Sequence, residues 1–328
     1  MTHATFPARR RLLLAAAAAL AAPPLRLHAQ QPDGLRIVCG YPPGGSVDIV
    51  ARKLAEKLAG PVARHVVVEN KPGAAGRLAV DEVKKAAPGS ALLVTPASTV
   101  TMYPHVYRQL AYDPFTDLLP VSTVANSGFA LAIGPKVPAS VLTLRDLFQW
   151  CRADPALASC GHAGNGSMPH FMTLQLAREL GIPLAPIPYR GGAAAMQGAA
   201  GGETAMALAT ENAARALHQA GKLRVLATTW ERRSPFFAEV PTFRESGVVL
   251  TQREWFGAFM PARTAEAQIR GVANVLGGLV HDADVRDTWE RTSLTLEANG
   301  PAALRDAMRL EHDYWGPVVR ASGFTPES

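Results

Sequence analysis

Residues 35–60 constrain the fold more than any other stretch of this chain. An apolar strand over 35–39 leads through Tyr41, Pro42, Pro43, Gly44, Gly45, Ser46, Val47 and Asp48 into a helix. Val47, Val50, Leu54 and Leu58 recur there at helical spacing until Gly60 ends the run. The two prolines stiffen the turn and remove two backbone donors, while the glycines permit positive φ and close approach. Ser46 is placed as the N-cap, and Asp48 lies in the first turn. Unpaired N–H groups at the positive end of a helix dipole suit an anion; a plain strand-to-helix turn without a ligand is the alternative for one such turn taken alone.

The same order recurs downstream. From Gln30 onward strand and helix patterns alternate, which predicts an α/β protein with mainly parallel sheets. At 328 residues and 48% hydrophobic content the chain has material for about two domains. A strand over 64–68 is followed by the turn Glu69, Asn70, Lys71, Pro72, Gly73, Ala74, Ala75, Gly76 and a helix over 78–87. A strand over 91–95 opens onto Ser98 and Thr99, so two hydroxyls stand at a strand's C-terminal end, where ligands collect in open α/β sheets. Strands are expected at 121–124 and 129–133, and Thr143 with Asp146 caps a helix ending near Arg152. A strand over 157–160 then gives way to Gly161, His162, Ala163, Gly164, Asn165, Gly166 and Ser167 before a helix over 168–180, repeating the strand, glycine loop, helix order of the opening stretch. A strand over 185–188 leads to Tyr189, Arg190, Gly191 and Gly192. Further strands fall at 204–209, 223–229 and 255–260, and an amphipathic helix at 302–318.

The first 29 residues have the three regions of a secretory signal: Arg9, Arg10 and Arg11, an apolar run over 12–22, then Pro23, Pro24 and a cleavage site after Ala29. That run is too short to span a bilayer, which takes about 20 residues. The arginine cluster fits a twin-arginine signal, as it fits an ordinary one. Removing this segment takes away four arginines and no acids, so the formal charge falls from +6 to +2. With no long basic run left, and no aromatics interleaved with Lys or Arg, nucleic acid is not an expected partner. Three cysteines are too few for a disulfide scaffold. Cys39 is expected as a buried small hydrophobe, whereas Cys151 and Cys160 flank a helix-to-strand connection, with a disulfide left open as the alternative to free thiols.

Familiar catalytic signatures are missing: there is no nucleophile elbow, no H-E-x-x-H, no Walker A loop and no dinucleotide fingerprint. His162 and His170 bracket the Gly164 to Ser167 loop but lack a carboxylate at metal spacing, so neither a metal nor a cofactor is expected. Ser98, Thr99 and Ser167 have no sequence neighbour that would activate a nucleophile, yet hydroxyl donors to an anion need none. Arg190 is the one cation set among glycines, where it can grip a carboxylate or stay solvated.

Taken in order, residues 38–51, Val66 with Val67, Val68 and the Glu69 to Gly76 turn, Tyr112-Asp113-Pro114, Gly164-Asn165-Gly166, Pro188-Tyr189-Arg190-Gly191, Gly221-Lys222-Leu223-Arg224, Val240-Pro241-Thr242 and Trp255-Phe256-Gly257 resemble the substrate-binding proteins of tripartite tricarboxylate transporters, also called Bug-type receptors. The resemblance covers essentially the whole chain after the signal. It implies a type II periplasmic binding protein fold, two α/β lobes with a ligand cleft between them, and no catalysis. It also implies that the two glycine loops hold a ligand carboxylate through amides, hydroxyls and water. Carried onto this chain, the ligand-binding positions are Tyr41, Gly44, Gly45, Ser46, Asp48, Ser98 and Thr99 in one lobe, and Asn165, Gly166, Ser167, His170, Arg190 and Gly191 in the other. The chain departs from the family at Cys39-Gly40-Tyr41, and in carrying Ala205 and Ala209 where many relatives have acids. Since an acid at the second place can receive an ammonium group, Ala209 speaks for a carboxylate ligand without an amino group, with Glu211 close enough to qualify that.

The expected organisation is a signal over 1–29, one lobe over 30–127 plus 252–328, and a second lobe over 128–251. The expected role is that of a monomeric periplasmic protein that captures a small carboxylate for the permease subunits of a transporter. A sensory subunit that presents its closed form to a membrane histidine kinase is the alternative. A periplasmic hydrolase pairing Ser167 or Ser98 with His162 or His170 is a more distant one.

Overall fold

The computed structural model describes residues 33–325, so the signal expected over 1–29 lies outside the described residues. In β1 (Gly34–Cys39) Leu35, Ile37, Val38 and Cys39 are all buried, as a strand covered by helices on both faces requires. The chain turns into α1 (Ser46–Leu58), whose Val47, Val50, Leu54 and Leu58 form its buried stripe, and comes back as β2 (His65–Asn70), parallel to β1. Then α2 (Arg77–Lys85) crosses to β3 (Ala91–Pro96) on the other side of β1, also parallel. Two short helices, α3 (Ala97–Thr101) and α4 (Tyr103–Val106), precede β4 (Leu118–Ile133), a strand of 16 residues.

The second series runs α5 (Leu144–Ala153), β5 (Ser159–His162), α6 (Met168–Leu180), β6 (Ala185–Pro188), α7 (Gly192–Ala200), β7 (Met206–Thr210), α8 (Glu211–Gln219) and β8 (Arg224–Thr228). Strand β9 (Arg253–Pro261) rejoins the first sheet. Three helices follow it, α9 (Glu266–Gly278), α10 (Ala283–Arg291) and α11 (Gly300–Ala321). The capping box expected at α5 is present: Asp146 N–H donates to Thr143 Oγ1 (3.2 Å) and Thr143 N–H to Asp146 Oδ2 (2.9 Å).

Strand order is β2-β1-β3-β9-β4-β7-β5-β6, with β8 also on β4. The mainly parallel sheet expected from the sequence needs correction. Parallel pairing is confined to strands joined through helical crossovers, whereas β9 runs antiparallel to β3 and β4, and β7 and β8 run antiparallel to β4. The strands expected at 121–124 and 129–133 are one. Small and polar residues from Ala125 to Gly128 interrupt the apolar pattern, but their backbone stays paired with β9 as far as Gly128 opposite Arg253. From Phe129 onward the same strand pairs with β7, and from Ala130 with β8. At the handover Gly128 leaves room for an indole: a Cβ there would lie 2.2 Å from Trp230 Nε1.

Two α/β lobes share this strand. Ile37, Leu54, Leu92, Phe256 and Trp289 belong to one apolar cluster, and Ala195, Met196, Leu217 and Phe237 to another. Each fully buried large side chain contributes about 1.5–3 kcal/mol. Cys39, Cys151 and Cys160 are all buried free thiols, so the disulfide left open for Cys151 and Cys160 is not formed.

Candidate functional site

A cavity of about 460 Å³ lies where the ends of β1, β3 and β7 meet the starts of α1, α6 and α7. Its walls are largely apolar, including Pro42, Pro43, Val47, Phe129, Ala193, Ala209 and Phe256. A few polar groups interrupt them, which is the usual constitution of a small-ligand site. Of the positions expected from the sequence, Tyr41, Gly44, Gly45, Ser46, Ser98, Ser167, Arg190 and Gly191 line it. Asn165 lines a neighbouring cavity of about 600 Å³ that shares Tyr41, Pro42, Ala163, Arg190 and Gly191 with the first.

The remaining expected residues stand behind the walls. Asp48 is 2% exposed and works as a brace. Its Oδ2 accepts from the Gly44 N–H (2.9 Å) and from Arg52 Nε (2.9 Å), and its Oδ1 accepts from Asn70 Nδ2 (2.8 Å), which also donates to the Tyr41 carbonyl. Burial opposes its ionisation, yet these donors outweigh burial and hold the carboxyl below the usual range. One amide expected to face a ligand is therefore already used, and Gly44 is held at φ +83°, where only glycine is free of strain.

Ser46 is not the N-cap. Gly45 takes that position in extended conformation, and Ser46 is the first helical residue. Its hydroxyl donates across the cleft to Asn212 Oδ1 (3.0 Å) and lies 3.4 Å from Thr210 Oγ1. The N–H groups of Ser46 and Val47 start the helix, where no preceding turn supplies acceptors, and both residues line the cavity.

Ser98 and Thr99 stand just beyond the C-terminal end of β3, as expected, in the first turn of α3. Neighbours on a helix point about 100° apart, so only one hydroxyl can face the cavity. Ser98 lines it, and Thr99 is wholly buried behind it, its carbonyl accepting from the Tyr112 hydroxyl (2.6 Å).

In the second lobe Ser167 caps α6 by position, with its hydroxyl donating to the Gly164 carbonyl (2.6 Å). The Gly166 N–H donates to His170 Nδ1 (3.1 Å), and His170 stacks on His162 at 4.6 Å. Neither Gly166 nor His170 lines the cavity; they shape the loop that presents Ser167. Burial, then His170, pushes His162 down to about 3, so it stays neutral. Tyr107 donates to the Asn165 carbonyl (3.2 Å), tying the loop to the first lobe.

Arg190 is exposed and, among the described residues, is the only base lining the cavity. It precedes Gly191 (φ +111°) at the start of α7, whose Gly192, Ala193 and Ala194 also line the cavity. Tyr41 contributes its ring, while its hydroxyl donates to the Ala75 carbonyl (3.3 Å); burial and then the nearby Glu254 carboxyl push the phenol up to about 12.

Sequence reasoning missed Asn212, Thr210, Phe129, Phe256 and, above all, Glu254. Among the described residues Glu254 is the only acid lining the cavity, and it is 5% exposed. A usable signal existed, because strand alternation places Glu254 on the same face as Phe256, and an acid inside a buried strand needs a reason. Glu211, by contrast, turns away: it is wholly buried, accepts from Ser234 Oγ (2.9 Å) and does not line the cavity.

The model of the tripartite tricarboxylate transporter family receptor matches residues 50–283. A UPF0065 protein in the gbd 5′ region of Cupriavidus necator is 34% identical over 70% of this chain and 69% of its own length. Periplasmic binding protein BugD has a similar structure, with a TM-score of 0.82 at 25% identity, covering 90% of this chain and 99% of that one. MatC from Rhodopseudomonas palustris, solved with bound malate, has a TM-score of 0.80 at 25% identity over 87% of this chain and 98% of its own. The two-lobed periplasmic binding protein fold implied by the resemblance is the fold observed.

Proposed function

This chain belongs to the tripartite tricarboxylate transporter receptor family, whose members are solute-binding receptors and not enzymes, and on that footing we propose that it is a periplasmic receptor for a small carboxylate. The ligand sits between a lobe of residues 30–127 with 252–328 and a lobe of residues 128–251, and is handed to the permease subunits of a tripartite transporter. The observation that carries this reading is the convergence on one cavity of the starts of α1 and α7 with Ser167 and Arg190, amid apolar walls. Helix starts supply N–H donors and positive potential to an anion, and a mostly apolar wall strengthens both. Malate bound to MatC is consistent with that ligand class.

In this reading Tyr41, Gly44, Gly45, Ser46, Ser98, Ser167, Arg190 and Gly191 touch the ligand or its bridging waters. Asp48, Thr99, Asn165, Gly166 and His170 hold those groups in place. Dipoles and hydroxyls carry most of the charge recognition, with one guanidinium at the rim. Binding draws the lobes together, and the Ser46–Asn212 bond already crosses between them.

The test is thermal unfolding against carboxylates, amino acids, sugars and phosphates. A ligand at 100 times its dissociation constant stabilises the folded state by about 2.7 kcal/mol. Ser46→Pro is the informative variant: proline is well tolerated as the first helical residue, so the helix survives while the N–H donor and the hydroxyl are lost. Its carboxylate-induced shift should largely vanish, while Ser322→Ala, at the end of α11, keeps the full shift. Equal shifts in the two variants refute the cradle, and a shift with sugars or phosphates alone refutes the receptor reading.

A further inference from the structure

Glu254 enters from β9, and the amides of Ala97 and Ser98, at the start of α3, face its carboxyl. Its Oε1 is buried without a hydrogen-bond partner. Such an atom is costly in an unliganded wall, and it becomes an asset when a ligand completes it. The charged and titratable groups around it are few. Glu311 approaches from α11, accepting from Trp255 Nε1 (2.6 Å) and Thr101 Oγ1 (3.5 Å). The Tyr41 phenol lies on the first-lobe side, and Arg253 acts on Glu311. Arg190 stands elsewhere on the cavity wall, at the start of α7. Among the described residues no guanidinium or ammonium bonds Glu254, and burial, then Glu311, pushes its carboxyl up to about 8. At neutral pH it therefore carries a proton, and a neutral carboxyl offers one O–H donor besides its acceptor oxygen. The acceptor suits the α3 amides, and the donor is left over.

We propose that Glu254 is a ligand-facing hydrogen-bond donor that selects the second oxygen-bearing group of a dicarboxylate or hydroxycarboxylate whose first carboxylate is held at the start of α1. This rests on the receptor reading and sharpens it. An ammonium at the same place would find a protonated acid, so the four-carbon diacids succinate and malate bind in preference to aspartate, which differs by its amino group. Ligand and proton are coupled. Binding needs the protonated form, and above the carboxyl's titration point each turn of binding must first restore that proton.

The experiment is calorimetric titration of the protein with succinate, malate, citrate, benzoate and aspartate at pH 7, 8 and 9, repeated with Glu254→Gln. For a carboxyl titrating near 8, the diacid dissociation constant weakens about tenfold from pH 7 to pH 9, where the ligand's own carboxylates no longer titrate. Glutamine keeps one acceptor for the α3 amides and one N–H donor for the ligand, so Glu254→Gln binds within about threefold of the parent at pH 7 and shows no such slope. A slope that survives in Glu254→Gln overturns the assignment. So does tight aspartate binding that Glu254→Gln abolishes, since that assigns Glu254 as an anion for ammonium. If benzoate binds and no diacid does, the receptor reading stands and this one falls; if nothing on the panel binds at any pH, both fall.

Discussion

Replacing Asp48 by asparagine tests whether the cradle is held from behind. The carboxylate takes three donors, from Gly44, Arg52 and Asn70. An asparagine oxygen placed at Oδ2 keeps the first two, but its NH₂ then faces the Asn70 NH₂. Turning Asn70 over relieves that clash and breaks its bond to the Tyr41 carbonyl. The mismatch is worth about 1–3 kcal/mol, and the exposed Arg52 pair adds little, since solvent screens it. A net loss of about 2 kcal/mol, set against an unfolding entropy of roughly 0.6 kcal/mol per kelvin for a chain of this length, lowers Tm by about 3–4 °C. With Asn70 turned over and the Tyr41 carbonyl released, the turn from Tyr41 to Gly45 is held less tightly, so carboxylate affinity falls as well. The sign of the pH dependence is fixed by the depressed Asp48 carboxyl. Its stabilisation is present above the ordinary carboxylate range and is lost as pH falls through the lower folded value, so parent and variant converge in acid. Calorimetric melting at pH 7 and pH 3 with a carboxylate titration reads all three effects, and Glu56→Gln, on the exposed face of α1, is the control. An Asp48→Asn protein that melts and binds like that control refutes the bracing role.

Gly128→Ala should destabilise by about 1–3 kcal/mol through the clash with Trp230, and Trp230→Ala should relieve part of that cost in the double variant; additive melting shifts would mean the two residues do not meet. Glu211 has a folded carboxyl pushed up to about 7 by burial, so its contribution is most favourable below the unfolded value and erodes as pH rises towards 7, by up to ~3 kcal/mol. Parent Tm should accordingly drop more between pH 5 and pH 8 than that of Glu211→Gln, and parallel profiles would refute the burial argument.

Much of the first turn was legible because its punctuation is local. Apolar runs ending in Pro42, Pro43, Gly44 and Gly45 mark where β1 stops and α1 begins, and the Thr143 and Asp146 pair marks the start of α5. What stayed hidden depends on distant chain. Ser46 loses its capping role to Gly45 and bonds Asn212 instead, a partner 166 positions away. Asp48 reads as a ligand contact until Asn70, from the next strand, closes on it. Ser98 and Thr99 look equivalent until α3 winds them onto different faces. Glu254 gains its meaning only when β9 is laid beside β3 and α3 is set against its carboxyl. Continuity of β4 escaped because residues 125–128 are polar or small, and strand pairing with β9 compensates for a pattern that local propensity would break.

A strand common to both lobes also orders how the chain can mature. Along β4 the register runs from Leu118 opposite Pro261 to Gly128 opposite Arg253, and β3 needs the same β9 as its neighbour. Every residue of the second lobe is thus synthesised before the first lobe can receive its last central strand. Such long-range closure is slow, and it leaves the edges of β3 and β4 uncovered meanwhile. The first lobe thus cannot complete its central sheet until residue 261 is available, whereas the second lobe, with β4 to β8 contiguous in sequence, has all of its own strands earlier.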